Sequence, residues 1–144
     1  MGSEVIKIAN CSGYYGDRLS AAKEMVEGGP IDVLTGDYLA ELTMTILFNQ
    51  KLKRGDDKGY VGTFLKQLKD VAKTCKEKEI KIVTNAGGLN PKSMANEIQI
   101  ILSELGLEMQ VAYIDGDDLM PRISDLQNSG CLLYTSDAAD ELRS

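Results

Sequence analysis

Thr84-Asn85-Ala86-Gly87-Gly88-Leu89-Asn90-Pro91 is the stretch that decides how the chain folds. An apolar run, Ile80-Lys81-Ile82-Val83, leads into it, and apolar residues at helical spacing lead out. The stretch therefore reads as a strand, a loop of small side chains and a helix. Gly87 and Gly88 let backbone approach a ligand or adopt a positive φ. Asn90 followed by Pro91 is a helix start, with Asn as N-cap and Pro in the first turn. Free N–H groups at such a start favour anions.

The same grammar recurs along the chain. Val5 to Ala9 reads as a first strand, ending in the polar turn Asn10-Cys11-Ser12-Gly13-Tyr14-Tyr15-Gly16-Asp17-Arg18. Asp17 is placed to cap the next helix, with Leu19, Ala22 and Val26 on its inner face, and Gly28-Gly29-Pro30 stops it. Ile31 to Leu34 reads as a second strand, turned by Thr35-Gly36-Asp37 into a helix whose stripe is Leu39, Leu42 and Ile46. Lys51 to Gly59 reads as a charged connector, and Val61, Phe64, Leu68, Val71 and Cys75 mark a further helix. After Ile80 to Val83 comes a helix with Met94, Ile98, Ile101 and Leu105 inward, ended by Gly106. Met109 to Ile114 reads as a fourth strand, followed at once by Asp115-Gly116-Asp117-Asp118.

This order predicts an α/β fold: an open, mainly parallel sheet of about four strands with crossover helices, Rossmann-like and truncated. Ligands of such sheets bind beyond the carboxyl ends of strands. Every polar turn above sits at one.

Composition narrows the function. The chain has 144 residues, 43% apolar and 26% charged, which suits one soluble domain. A net charge of −6 with no basic cluster argues against nucleic acid as a partner. No signal peptide opens the sequence, and no apolar run approaches about 18 residues, so no membrane span is expected and the expected compartment is the cytoplasm. The absence of histidine removes the usual general base and commonest metal ligand from this chain. Cys11, Cys75 and Cys131 lie far apart and read as reduced thiols.

Each turn carries candidate chemistry beside a plainer reading. Asn10, Ser12 and Gly13, with Gly16 and Arg18, could form a phosphate loop, although the G-x-G-x-x-G pattern and the P-loop lysine are missing. The alternative is a strand–helix turn capped by Asp17. In Thr35-Gly36-Asp37-Tyr38-Leu39-Ala40-Glu41, Asp37 and Glu41 stand four apart at a helix start. They could share a face as acid and base, or simply complement the helix dipole. Tyr38 could donate a phenolic hydrogen bond or pack. Asp115, Asp117 and Asp118 could hold Mg²⁺ or Ca²⁺, with Asp117 also a candidate for catalysis, although the EF-hand spacing is absent and a polar turn explains them too. Asn85, Gly87, Gly88 and Asn90 complete the candidate ligand-binding set. Thr84 to Gly88 also resembles one short stretch of short-chain dehydrogenases, whose nucleotide fingerprint after the first strand is missing here.

The last fourteen residues, CLLYTSDAADELRS, follow no period. Cys131 to Glu141 can be back-translated into a transposase adapter used in sequencing libraries. Residues 131–144 are therefore expected to be adapter translation, with 1–130 the N-terminal part of a longer natural protein; an ordinary C-terminal loop and short helix is the alternative.

Gly28-Gly29-Pro30-Ile31-Asp32-Val33-Leu34-Thr35-Gly36-Asp37-Tyr38-Leu39-Ala40-Glu41, Asn85 to Pro91, and Val111 to Leu119 together resemble, in order and spacing, the acyclic terpene utilisation AtuA-like family. The resemblance runs from about Val5 to Arg122. It implies a bacterial or fungal cytoplasmic protein linked to citronellol and geraniol catabolism beside acyl-CoA enzymes. An enzyme or enzyme-associated subunit acting on a small carboxylate or acyl-CoA metabolite is one expectation, with a CoA ester or a divalent cation as cofactor. A homo-oligomer or an acyl-CoA enzyme is the expected protein partner. A noncatalytic nucleotide- or CoA-binding module of a larger complex is the second reading, and a scaffold with merely tight turns the third.

A parallel sheet missing later strands exposes an edge and an apolar face. The isolated chain is thus expected to be marginally stable or to aggregate, as light scattering during purification would reveal; a monodisperse preparation with a cooperative melt contradicts this.

Overall fold

The computed structural model describes residues 5–130. The expected adapter segment, 131–144, lies outside the described residues. Two compact units are present, divided between Ile114 and Asp115. The first carries β1 (Ile8–Asn10), α1 (Ala21–Gly28), β2 (Val33–Gly36), α2 (Glu41–Arg54), α3 (Gly62–Glu77), β3 (Lys81–Thr84) and α4 (Pro91–Glu104). The second, described by itself, carries a 3₁₀ turn at Met120–Arg122 and a short α5 (Ile123–Asn128).

The three strands form one parallel sheet in the order β1-β2-β3. Ala9 lies beside Leu34 and Leu34 beside Ile82, so these side chains share a face. Against that face pack Ala21, Ala22 and Val26 of α1 and Val71 and Cys75 of α3. Both crossovers move to the next strand in the same direction, and right-handed connections of that kind put their helices on the same side. The opposite face stays uncovered among the described residues: Ile8 is 65% and Val83 60% exposed. A second core, built on Tyr38, Leu47, Val61, Phe64, Leu68, Met94 and Leu102, joins α2, α3 and α4.

The α/β class and the parallel pairing agree with the sequence reading; the strand count does not. Met109–Ile114 forms no strand among the described residues. Met109 and Val111 pack against the second core, which accounts for the alternating pattern in the sequence, but no backbone ladder accompanies them. Among the described residues the sheet has three strands rather than four.

Helix stripes differ in part. Phe64, Leu68, Val71 and Cys75 are buried as the spacing requires. On α2 the buried positions are Thr43 and Leu47, while Leu42 is exposed: Leu39 lies outside the helix, and the helix's inner face is centred one residue later than the expected stripe. On α4, Leu102 takes the inner place expected for Leu105.

Gly88 has φ +52°, and a Cβ there would strike the Leu47 side chain and come within 2.9 Å of the Gly59 carbonyl oxygen. Gly106 has φ +66° with open space around it. Gly88→Ala is expected to cost about 2–4 kcal/mol, from overpacking added to the positive-φ penalty, and Gly106→Ala only about 1 kcal/mol. Urea denaturation of both variants measures the difference; equal losses would show that the contact at Leu47 does not constrain the loop.

Candidate functional site

Parallel strands in register deliver their last residues to one edge. Asn10 pairs with Thr35, Thr35 with Val83, and Gly36 with Thr84. Just past these positions lie Asp37 and Asn85. Together Asn10, Thr35, Gly36, Asp37, Val83, Thr84 and Asn85 line an open crevice of about 510 Å³. Among the described residues, Asp37 is its one charged lining side chain.

Hydrogen bonds tie the three strand ends together. Cys11 N–H donates to the Thr35 carbonyl at 2.9 Å, and Asp37 N–H to the Ser12 carbonyl at 3.0 Å. Asn85 grips the β2 exit from both ends of its carboxamide. Its Oδ1 accepts from Tyr38 N–H at 2.9 Å, and its Nδ2 donates to Asp37 Oδ1 at 2.6 Å. Leu39 N–H adds a longer bond of 3.3 Å to the same Oδ1. Asp37 Oδ2 has no hydrogen-bond partner among the described residues.

Tyr38 turns inward from this grip. Its ring is buried beneath the strand end, edge-on to Phe64. A Cβ on Gly36 would lie 2.6 Å from Tyr38 Cε2, so only glycine leaves room for the ring. The phenol donates to Gln67 Oε1, and Gln67 Nε2 donates to the Arg18 carbonyl at 3.3 Å. Cys11 Sγ stands 3.9 Å from the same phenol oxygen. Burial, reinforced by the neighbouring Cys11, pushes the Tyr38 phenol well above the ordinary tyrosine range. Burial raises the Cys11 thiol too, against the opposing hydrogen bond with Tyr38.

Not every expected site residue reaches the crevice. Tyr38 contributes its backbone there, while its phenol serves the core. Asp37 lies in the coil before α2, so it shares no helix face with Glu41, which is the exposed first residue of that helix. Gly13 N–H donates to Asp17 Oδ2 at 3.0 Å and Arg18 N–H to Asp17 Oδ1 at 2.7 Å. These two backbone bonds, Gly13 first, hold the Asp17 carboxyl below its ordinary range. The β1–α1 turn is thus closed on its own anion, and Asp17 caps this turn rather than α1. Arg18 pairs with Glu24 at 2.8 Å on the surface. Ser12 is buried, its hydroxyl donating to the Tyr14 carbonyl at 3.1 Å.

Gly87, Gly88 and Asn90 serve the loop itself. A Cβ on Gly87 would meet Pro91 at 2.8 Å. Asn90 Oδ1 caps α4 through Ser93 N–H at 3.2 Å, and Asn90 Nδ2 donates to the carbonyls of Asp56 and Lys58. In the second unit Asp118 Oδ1 accepts from Met120 N–H at 3.0 Å. Among the described residues no group of three or more His, Cys, Asp or Glu side chains gathers to hold a metal ion, so Asp115, Asp117 and Asp118 form no such cluster. They are exposed and lie outside any helix or strand.

Gln67, Thr84 and Val83 are the residues that the sequence reading missed. Gln67 left a signal: it stands three residues from Phe64, on the apolar stripe of α3, where a polar side chain needs a partner.

The fold and site define an α/β protein of the parallel-sheet kind, with an open crevice at the strands' carboxyl edge. Within that class, the chain belongs to the acyclic terpene utilisation family: the model of the acyclic terpene utilisation family protein AtuA matches residues 6–143. No curated protein and no solved structure matches the chain. Among the described residues no helix is long and apolar enough to cross a membrane.

A tyrosine protonated in the fold but free to ionise when unfolded makes stability fall at high pH. The contribution of Tyr38 is complete below about pH 10, its unfolded value, and is lost as pH rises from there toward the raised folded value. Urea unfolding at pH 8 and pH 11 is expected to show a steeper loss for the wild type than for Tyr38→Phe; equal slopes would place the phenol in water.

Proposed function

We propose that the crevice holds the reactive end of a small metabolite of acyclic terpene utilisation, with the chain acting as an enzyme or as the ligand-holding part of one. The observation that carries this is the Asp37 carboxyl, fixed through one oxygen by Asn85 and open at the other, at the edge where parallel sheets place ligands. An acid held in one orientation suits general acid–base work on a bound group. The family supplies the metabolic setting; the reaction is our reading of the site.

A free carboxylate suits this crevice poorly. Two like unit charges about 4 Å apart repel by about 4 kcal/mol at a near-surface dielectric, and among the described residues no lysine or arginine lines the crevice itself to offset that, Lys81 standing in the row beyond Val83. The acyl-CoA thioester form of a terpene-derived acid presents a neutral end and is the better candidate.

A nucleotide-binding module is the second reading. Asp37 follows β2, about 20 residues beyond the first glycine turn, where dinucleotide-binding folds put the acid that takes a ribose hydroxyl. Against it, Asp17 already occupies N–H groups of the β1–α1 turn that a phosphate would need.

Asp37→Asn preserves size and the bond to Asn85 while removing the acid. It is expected to lower turnover of citronellol- or geraniol-derived acyl-CoA thioesters at least about 100-fold, with an unchanged circular dichroism spectrum. Undiminished turnover would remove Asp37 from the chemistry. Thermal stabilisation by adenine nucleotides but not by thioesters would favour the module.

A further inference from the structure

We propose that the ligand group seated against Asp37 is a hydroxyl on an aliphatic chain, rather than a carboxylate or a phosphate. This rests on the crevice being the ligand site. The donors of the lining are largely committed within the protein. Thr35 Oγ1 is engaged by the Ala9 carbonyl at 3.2 Å and Asn10 Oδ1 at 3.3 Å. Thr84 Oγ1 donates to the Gly36 carbonyl at 2.9 Å and accepts from Ala86 N–H at 3.1 Å. Asn10 Nδ2 donates to the Ser12 carbonyl at 2.9 Å and Asn85 Nδ2 to Asp37. The backbone N–H groups of Asp37 and Tyr38 are taken by Ser12 and Asn85.

What the side chains keep for a ligand is acceptor oxygens, Asp37 Oδ2 foremost and Thr35 Oγ1 beside it, and the second N–H of each carboxamide. An anion needs several donors or a cation, and here it would lie beside an acid. A hydroxyl matches: its hydrogen goes to Asp37 Oδ2, and its oxygen can take a remaining amide N–H. The aliphatic part also has a place. Val83 lines the crevice, and Ile8, Val33 and the exposed Lys81 form the next row down the same uncovered sheet face. A hydroxyl at the strand ends thus leads onto the Val83, Ile8 and Val33 side chains, with Lys81 at the far end of their row.

An alcohol and a hydroxyacyl thioester both carry this chemistry, and matched probes separate them. The full chain, ¹⁵N-labelled, is titrated at neutral pH with citronellol against citronellate, and with 3-hydroxybutyryl-CoA against butyryl-CoA. The expected result is that at least one hydroxyl-bearing probe moves the amide resonances of Asp37, Tyr38 and Asn85. It is also expected to bind at least about tenfold tighter than its partner without the hydroxyl. A preference in the first pair alone identifies an alcohol, and in the second pair alone a hydroxyacyl thioester. Movement of those resonances with no preference in either pair, or with citronellate the tighter ligand, overturns the hydroxyl assignment and leaves the crevice standing. No movement with any of the four overturns both.

Discussion

The carboxamide of Asn85 is the constraint from which the rest of the site follows. Strands β2 and β3 run in register to Gly36 and Thr84, so the next residues, Asp37 and Asn85, leave the sheet side by side. Asn85 then uses both ends of its amide, accepting from Tyr38 N–H and donating to Asp37 Oδ1. Its two bonds tie the coil between β2 and α2 to the end of β3. With them in place, consecutive residues face opposite ways: the Asp37 carboxyl toward the crevice, the Tyr38 ring into the core. Gly36 leaves space for that ring, and Gln67 takes its hydroxyl. The crevice wall and the core beneath it are two sides of one turn.

The sheet's topology decides where the crevice opens. Successive neighbouring strands place α1 and α3 on one face, and the core forms there. Asn10, Thr35 and Val83 belong to the other face, by the alternation of side chains along each strand. The crevice therefore borders a sheet face, with Ile8, Val33 and Lys81 in its next row, that the described residues leave bare, an uncommon condition for a parallel sheet, which is ordinarily covered on both faces. An extended molecule with one polar end fits such a border better than a compact polar one.

Much of this was legible in the residues, and the failures have physical causes. The β–loop–α grammar gave the parallel sheet and the strand-end location, because local turn chemistry and hydrophobic period agree over these segments. The stripe on α3 was read correctly since burial and spacing coincide there. The fourth strand was misread because Met109 and Val111 do alternate inward, and periodicity cannot report whether a backbone partner exists. Pairing Asp37 with Glu41 on one helix face failed because Asn85, distant in sequence, holds Asp37 out of the helix. Gly87, Gly88 and Asn90 looked like a ligand cradle; contacts with Pro91, Leu47 and the Asp56–Lys58 backbone explain them instead. Glycine permits close approach, and sequence does not say by what.

The grip of Asn85 on the β2 exit can be read directly from a nuclear Overhauser spectrum of the labelled chain. Cross-peaks from the Asn85 side-chain amide to the Tyr38 backbone amide, together with the Leu34–Ile82 contacts of a parallel pair, are the result expected. An Asn85 side chain averaging in solvent with no such cross-peaks, or contacts of antiparallel strands, would contradict the account.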